Sequence, residues 1–229
     1  MLVGCFLALK LDLRARRLGL VLAFGAGVLI SAVAYELTLE ASQTADRARF
    51  AAFGLFAGSL TFYVGDLLID RMGGDGRKSM GGRQAGGVAL AIVLGIVLDG
   101  VPESVVVGMG LLEGQGVSAA FLAAVFLSNL PEAAAASTGL KASGWETYRI
   151  YLLWIGVMLV SGASSALGFG LFGDASPDAI AFVLAFAAGA ILTMLADTMM
   201  PEAFKEGGPA AGLLTTLGFA LAFGISALD

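Results

Sequence analysis

The sequence Leu-Asp-Gly-Val-Pro-Glu at residues 98–103 recurs as Leu-Ser-Asn-Leu-Pro-Glu at residues 127–132. Both copies lie inside long apolar runs, which extend over residues 86–111 and 117–140. Each run is long enough to cross about 30 Å of hydrocarbon, a distance that takes about 20 helical residues. The repeated proline-glutamate pattern therefore predicts two neighbouring membrane spans with acidic side chains in their interior.

The rest of the chain has the same apolar character. Hydrophobic residues make up 58% of the 229 positions and charged residues 14%, which is far from the composition of a soluble domain. The other apolar runs, of which the first is short, cover residues 1–9, 18–38, 50–69, 150–172, 179–200 and 210–228. With the two central runs they predict an all-α integral membrane protein of about eight transmembrane helices, folded as a single transmembrane domain over residues 1–229.

Lys and Arg residues are distributed unequally between alternate loops. One set of loops contains only Arg47 and Arg49. The other set contains eleven basic residues: Lys10, Arg14, Arg16, Arg17, Arg71, Arg77, Lys78, Arg83, Lys141, Arg149 and Lys205. Because loops rich in Lys and Arg face the cytoplasm, we expect a multi-pass protein of the cell membrane with both termini outside.

A second repeat lies near the two ends of the chain. Residues 22–27 (Leu-Ala-Phe-Gly-Ala-Gly) recur as residues 184–189 (Leu-Ala-Phe-Ala-Ala-Gly), and the match continues to Glu40 against Glu202. In the expected topology both pairs of repeated spans run in opposite directions, which predicts inverted repeats in a 3+2+3 arrangement. In secondary transporters such repeats place the substrate site near the bilayer midplane. Chance similarity between helices rich in small residues is the alternative.

The central repeat carries the polar side chains that could bind a cation. Asp99 and Glu103 are four residues apart, so a helix places both carboxylates on one face. Glu132 occupies the equivalent position in the next span, and Ser128 and Asn129 precede it by one turn with a hydroxyl and an amide carbonyl. These five residues are the predicted metal ligands.

The prolines of the two motifs add backbone oxygens to this site. Pro102 and Pro131 have no N–H, so each releases the carbonyl four residues earlier, at Leu98 and Leu127. A released carbonyl within a membrane needs another partner, such as a bound cation or a water molecule in a cavity. The sequence therefore predicts an oxygen-lined cage.

The cost of burying acids in a membrane supports the same interpretation. A carboxylate near the bilayer centre costs roughly 2.5 to 3.5 kcal/mol on insertion scales. No Lys or Arg occurs between Arg83 and Lys141 to neutralise the acids of the two motifs. Protons or a metal ion must supply the charge. The alternative is that the acids are protonated or hydrated near a helix end and join the spans by hydrogen bonds.

Two further acids lie in the outer repeat. Glu36 and Asp197 fall one position apart when the two outer segments are aligned. They are predicted to line the path to the site. Equally, Glu36 and Glu40 could mark the outer end of a helix.

Taken together, the two motifs resemble those of the ZIP (Zrt/Irt-like) family of divalent-metal transporters. Members of that family have eight spans, outward termini, a variable cytoplasmic loop after the third span, and His-Asn-x-Pro-Glu-Gly motifs. The resemblance implies that Asp99 and Glu103 take the positions of the fourth-span histidine and the metal-binding glutamate. In the fifth span it places Ser128, Asn129 and Glu132 at the corresponding metal ligands.

The chain departs from the family pattern in the ligand atoms that it offers. It contains no histidine, and Asp99 and Ser128 stand where relatives have imidazole or amide ligands. Oxygen ligands favour manganese, magnesium or calcium, with iron(II) also suited, whereas imidazole favours zinc, copper and nickel. The candidate substrates are therefore zinc, as the family transports, and manganese or iron, as the ligands favour.

The predicted function is divalent-cation transport by alternating access through the site between the fourth and fifth helices. The alternatives are a membrane scaffold or sensor that no longer transports, and a transporter of protons or a small organic cation. The chain lacks a credible nucleophile and base, so we expect no enzyme activity and no cofactor. The lipid bilayer and the transported ion are the expected partners; nucleic acid is not, and a homodimer is left open.

Overall fold

The computed structural model describes residues 1–11, 15–74, 89–112 and 119–227, which form helices and contain no strand. Each helix coincides with one of the apolar runs of the sequence, and the all-α prediction is confirmed. The helices are α1 (Leu2–Lys10), α2 (Ala15–Thr44), α3 (Ala48–Ile69, continued by a turn at Asp70–Gly74), α4 (Ala89–Gly110), α5 (Ala119–Ala142), α6 (Thr147–Phe172), α7 (Pro177–Gly207) and α8 (Ala210–Ser226).

Four of the helices in the described ranges are long and apolar enough to cross a membrane. They are Ala15–Thr44, Ala48–Met72, Thr147–Phe172 and Pro177–Gly207, and Ala210–Ser226 is a shorter apolar helix. Large apolar side chains cover their outer surfaces: Phe56 of α3 is 73% exposed, Leu213 of α8 is 71% exposed and Leu171 of α6 is 68% exposed. This surface is compatible with a membrane-embedded protein.

Two outer pairs of helices are joined by close backbone contacts. α2 packs against α8, and α3 packs against α7. Since glycine has no side chain, it lets two helix backbones approach closely. In each pair, glycines contact carbonyl oxygens of the facing helix: Gly27 contacts Thr215, Gly218 contacts Phe24, Gly189 contacts Leu55 and Gly58 contacts Phe186. The α2–α8 contacts thus have counterparts in the α3–α7 contacts.

The same kind of contact attaches α1 to α5 and α4 to α6. α5 packs mainly on α1 and α2, and α4 packs mainly on α6 and α7, while α4 and α5 contact each other over a small area. The close contacts to carbonyl oxygens are Gly4 on Leu130, Gly108 on Ser165 and Gly168 on Val105. Both helices that carry the proline-glutamate motifs are therefore held chiefly by other helices.

α2 and α7 each contain one π-helical turn. It lies at Val33–Thr38 in α2 and at Leu195–Met199 in α7. The Leu39 amide donates to the Ala34 carbonyl, and the Met200 amide donates to the Leu195 carbonyl, so each hydrogen bond spans five residues instead of four. Both helices continue beyond the turn.

The starts of α3 and α7 are tied together. Ser176 caps α7, because its hydroxyl oxygen accepts from the Ala179 amide at 3.3 Å. Asp178, in the first turn of α7, accepts from the Arg47 amide at 3.1 Å, where α3 begins. α7 ends before Gly208, whose φ of +69° is a conformation that glycine adopts readily. The hydrogen bond between Arg47 and Asp178 joins the α2–α3 turn to the α6–α7 turn.

Candidate cation site

α4 and α5 bring the predicted ligands into the interior of the bundle. Each helix contains its motif proline without a break in the helix. Asp99, Glu103, Ser128 and Asn129 are all buried, with at most 6% of each residue exposed, and Glu132 is half-buried. Such burial of acidic and amide groups within apolar helices is unusual, because each polar group needs a partner.

A hydrogen bond between Asn129 and Glu103 joins the two motifs. The Asn129 amide nitrogen donates to Glu103 Oε2 at 2.9 Å and to the Val125 carbonyl oxygen at 2.7 Å. Because both N–H groups of this amide are engaged, its carbonyl oxygen is the atom that can accept a donor or contact a cation. Asn129 therefore positions Glu103 and presents one oxygen of its own.

The serines beside the motif acids bond to their own helices. The Ser128 hydroxyl donates to the Val125 carbonyl at 3.1 Å, and the Ser104 hydroxyl donates to the Gly100 carbonyl at 2.6 Å. The hydroxyl oxygen of Ser128 retains lone pairs that can accept. The hydroxyl oxygen of Ser128 thus has room to accept a further contact, and its role as a metal ligand stays a prediction.

Asp99 and Glu132 each have one carboxylate oxygen hidden from solvent. These atoms are Asp99 Oδ1 and Glu132 Oε1. Burial disfavours the charged form of a carboxylate unless a cation, a proton or hydrogen-bond donors compensate for the lost hydration. Both acids thus direct one carboxylate oxygen into the protein interior.

The carbonyl that Pro131 releases lies at a helix interface. A Cβ atom at Gly25 would be 3.0 Å from the Leu127 carbonyl oxygen, so this oxygen faces the backbone of α2. The sequence predicted an oxygen-lined cage here, but it did not predict that Gly25 of α2 would lie against this oxygen. On the other proline helix, the Leu98 side chain lies against Gly65 of α3.

α1 and α6 border the motif glycine of α4. A Cβ atom at Gly100 would lie 3.6 Å from Met1 Cε and 3.8 Å from Ser161 Oγ. These are ordinary contact distances, so the site has neighbours on this side without being crowded.

Glu36 and Asp197, the predicted pathway residues, lie in the two π-helical turns. Each residue is the second after the carbonyl that accepts the five-residue hydrogen bond. Glu36 is half-buried and Asp197 is exposed. The structure thus gives the two acids equivalent places in α2 and α7.

A buried polar contact outside the two motifs was not predicted from the sequence. The Trp154 indole N–H donates to the Ser137 hydroxyl at 2.8 Å, and the buried Cys5 packs in the same cluster as Trp154. These contacts connect α1, α5 and α6. The only signal in the sequence was a tryptophan within an apolar run, since a buried indole N–H needs an acceptor.

Within the described ranges, no group of three or more His, Cys, Asp or Glu side chains is arranged to hold a metal ion. A cation site at the two motifs would therefore combine carboxylates with the Asn129 amide, the Ser128 hydroxyl or backbone carbonyls. Oxygen ligands of this kind suit hard cations.

Comparison with known proteins adds no assignment: no family model matches the chain, and no curated protein matches it. The resemblance to the ZIP family thus rests on the two motifs, and membership in that family stays a prediction.

Proposed function

We propose that the chain is a membrane transporter for a divalent metal cation, which binds between α4 and α5. The observation that carries this proposal is the buried Asn129–Glu103 contact, with Asp99 and Ser128 buried on the same two helices. Three acids and an amide in the interior of an apolar bundle are costly unless they serve a substrate or a proton. The resemblance of the motifs to those of metal transporters favours the metal.

The proposal includes eight spans arranged as inverted repeats. The matched glycine contacts of the α2–α8 and α3–α7 pairs support it, because an axis that exchanges α2 with α7 and α3 with α8 would relate them. The π-helical turns of α2 and α7 are exchanged by the same axis. The contact between Arg47 and Asp178 fits the expected topology, in which both loops belong on the same side of the membrane.

Transport would follow from alternating exposure of the site. The cation exchanges part of its water shell for the Asn129 amide oxygen and for oxygens of at most two of the acids Asp99, Glu103 and Glu132 at a time, while the flanking helices close one side. Release toward the cytoplasm is the direction that the family resemblance suggests. Binding has to be strong enough to remove water and weak enough for release.

A proton or a small organic cation is the second candidate substrate. The absence of a three-residue cluster of acidic or sulfur ligands in the described part of the chain favours this alternative. A single carboxylate with an amide partner is sufficient for proton transfer, whereas a metal requires more ligands.

Uptake into proteoliposomes tests the proposal. Purified protein is reconstituted, and uptake of Mn²⁺, Zn²⁺ and Fe²⁺ is measured with and without a proton gradient. We expect uptake of at least one of these metals, and we expect Glu103→Ala and Glu132→Ala to reduce it to the level of empty vesicles. Glu146→Ala removes an exposed acid at the start of α6 and is the matched control, with wild-type uptake expected.

If wild type and both site variants took up all three metals at the same background rate, the metal-transporter proposal would fail. Uptake that ignored the metals but followed the proton gradient would support the second candidate. Background rates in both assays would leave a scaffold or sensor as the remaining function.

A further inference from the structure

α5 ends in a turn that returns Trp145 to the bundle. Gly144 in this turn has a φ of +87°, a conformation that glycine adopts readily. The Gly144 amide donates to the Lys141 carbonyl at 3.1 Å, and the Trp145 amide donates to the Leu140 carbonyl at 3.0 Å. These two hydrogen bonds reverse the chain, and Trp145 packs against the buried cluster that contains Leu140. The turn thus sets the position of the indole just before α6.

The end of α1 reaches the same apolar cluster. Leu9, in the last turn of α1, packs against this cluster, as Trp145 does. Lys10 follows Leu9 directly and is exposed. Lys141 likewise follows Leu140 and is exposed. The shared cluster therefore brings both lysines to the end of the bundle where Trp145 lies.

The first turn of α6 adds a third basic group, Arg149. Lys141 Nζ donates to Thr147 Oγ1 at 2.9 Å, which holds the ammonium beside this turn. Arg149 Nε donates to Tyr148 Oη at 3.1 Å and lies 3.6 Å from Glu146 Oε2. Both of these contacts use Nε, so the two Nη groups of the guanidinium can donate to another acceptor.

An exposed apolar surface continues from these basic groups along the helices. Phe6 lies one turn before the end of α1, Leu152 lies one turn after Tyr148 in α6, and both are exposed. α1 and α6 contact each other, and α6 is long and apolar enough to cross a membrane. Trp145 directly precedes this helix, and tryptophan is enriched at the boundary between lipid and water. Basic groups beside an apolar surface suit a ligand with an anionic head and apolar chains.

We propose that Lys10, Lys141 and Arg149 bind the phosphate of an anionic phospholipid whose acyl chains lie along α1 and α6. Clustered basic residues at the cytoplasmic end of transmembrane helices attract anionic lipids and bind their headgroups. In the expected topology both lysines belong to the cytoplasmic loops. None of the three residues belongs to the candidate cation site, so the inference does not depend on the proposed transport function.

Quenching of tryptophan fluorescence by brominated lipids measures this binding. The chain has two tryptophans: Trp154 is buried in the bundle, and Trp145 is half-buried beside the proposed site. The protein is placed in phosphatidylcholine nanodiscs with a small fraction of phosphatidylglycerol that is brominated in its acyl chains near the headgroup. We expect about threefold more quenching than with the same fraction of brominated phosphatidylcholine, because the site enriches the anionic lipid. Trp145→Phe should remove this difference.

Substitution of the basic residues tests their roles one at a time. Lys10→Gln, Lys141→Gln and Arg149→Gln should each raise the fraction of phosphatidylglycerol that gives half-maximal quenching by about fivefold. Arg71→Gln is the matched control, because it removes one exposed positive charge from the end of α3, which packs mainly on α7 and α4. Its quenching should equal that of wild type.

Equal quenching by the two brominated lipids in the wild-type protein would overturn the proposal, whatever the variants do. An effect of Arg71→Gln as large as that of Lys141→Gln would also overturn it, because the attraction would then belong to the whole charged surface.

Free phosphate is the other source of the same chemical group. Inorganic phosphate should displace brominated phosphatidylglycerol no better than sodium chloride at the same ionic strength. Displacement by phosphate alone would assign the three residues to a soluble phosphate compound and overturn the lipid assignment.

Discussion

The outer helix pairs and the central helices are held together by different forces. In the α2–α8 and α3–α7 pairs, glycines such as Gly27 and Gly189 place backbone against backbone with apolar side chains around them. Between α4 and α5, the contact area is small and a buried hydrogen bond connects Asn129 to Glu103. The outer contacts depend on shape, and the central contact depends on polar chemistry.

This difference indicates where the chain can tolerate change. A close backbone contact has no flexible atom that can move aside, so added volume there acts on the whole bundle. A polar pair between two helices that otherwise touch little can be altered without moving either helix. We therefore expect substitutions in the outer pairs to affect folding first, and substitutions in the centre to affect function first.

The largest effect is expected from Gly27→Ala in the α2–α8 pair. Its new Cβ atom would collide with the Thr215 carbonyl oxygen, which belongs to the backbone and cannot rotate away. Overpacking costs about 1 to 3 kcal/mol, occasionally more. Thermal unfolding in detergent should show a marked loss of stability or no monodisperse protein, and Gly189→Ala should do the same because its Cβ would meet the Leu55 carbonyl oxygen.

Gly212→Ala in α8 is the matched control for these variants. A Cβ atom there would have no neighbour within 4 Å, and alanine is the better helix former by roughly 1 kcal/mol. A Gly27→Ala protein as stable as Gly212→Ala would show that the outer contacts are not tight. A loss at Gly27 without a similar loss at Gly189 would break the equivalence of the two outer pairs.

The next largest effect is expected from Asn129→Ala in the centre. It removes the amide that donates to Glu103 and leaves a buried carboxylate short of one donor, which costs about 1 to 3 kcal/mol. Glu103→Gln in the same protein should recover part of this loss, because a neutral amide needs less compensation. Unfolding free energies of both single variants and of the double variant measure the coupling.

If the change in unfolding free energy of the double variant equalled the sum of the changes in the two single variants, a direct Asn129–Glu103 interaction would be contradicted. Helix content by circular dichroism should stay unchanged in all three variants, since α4 and α5 keep their contacts with α6, α7, α1 and α2. The Asn129→Ala protein should stay folded and yet lose most of its metal uptake. That outcome would separate the functional centre from the structural outer pairs.

The sequence was sufficient to predict the helices and the burial of four motif residues. Apolar runs set the helix positions, and the four-residue spacing of Asp99 and Glu103 placed both on one helix face within an apolar run. The sequence did not reveal that the Leu127 carbonyl faces Gly25, because this depends on where α2 packs. Nor did it reveal the π-helical turns, because a continuous apolar run such as that of α2 does not distinguish a π-helical turn from an α-helical turn.

The contact of Ser137 with Trp154 was also beyond the sequence. It depends on the rotation of α5 relative to α6, which only the packed bundle defines. Ser137→Ala would leave the buried indole N–H of Trp154 without its acceptor, and we expect a loss of about 1 kcal/mol. Trp154→Phe removes the donor as well, so the Ser137→Ala substitution should cost much less in that background. An equal cost of Ser137→Ala in both backgrounds would mean that the hydrogen bond does not stabilise the protein.

The smallest effect is expected at the junction of the two outer turns, where Asp178 accepts from the Arg47 amide. This hydrogen bond is exposed to solvent, so Asp178→Ala should cost only about 0.5 kcal/mol. The acid also lies in the first turn of α7, where a negative charge is favourable. Asp178→Asn separates the two contributions, because it keeps the acceptor oxygen and removes the charge. If the hydrogen bond dominates, Asn will be close to wild type and Ala will not, whereas equal losses would assign the effect to the charge. Asp174→Ala, at an exposed acid before the helix, should be neutral in either case.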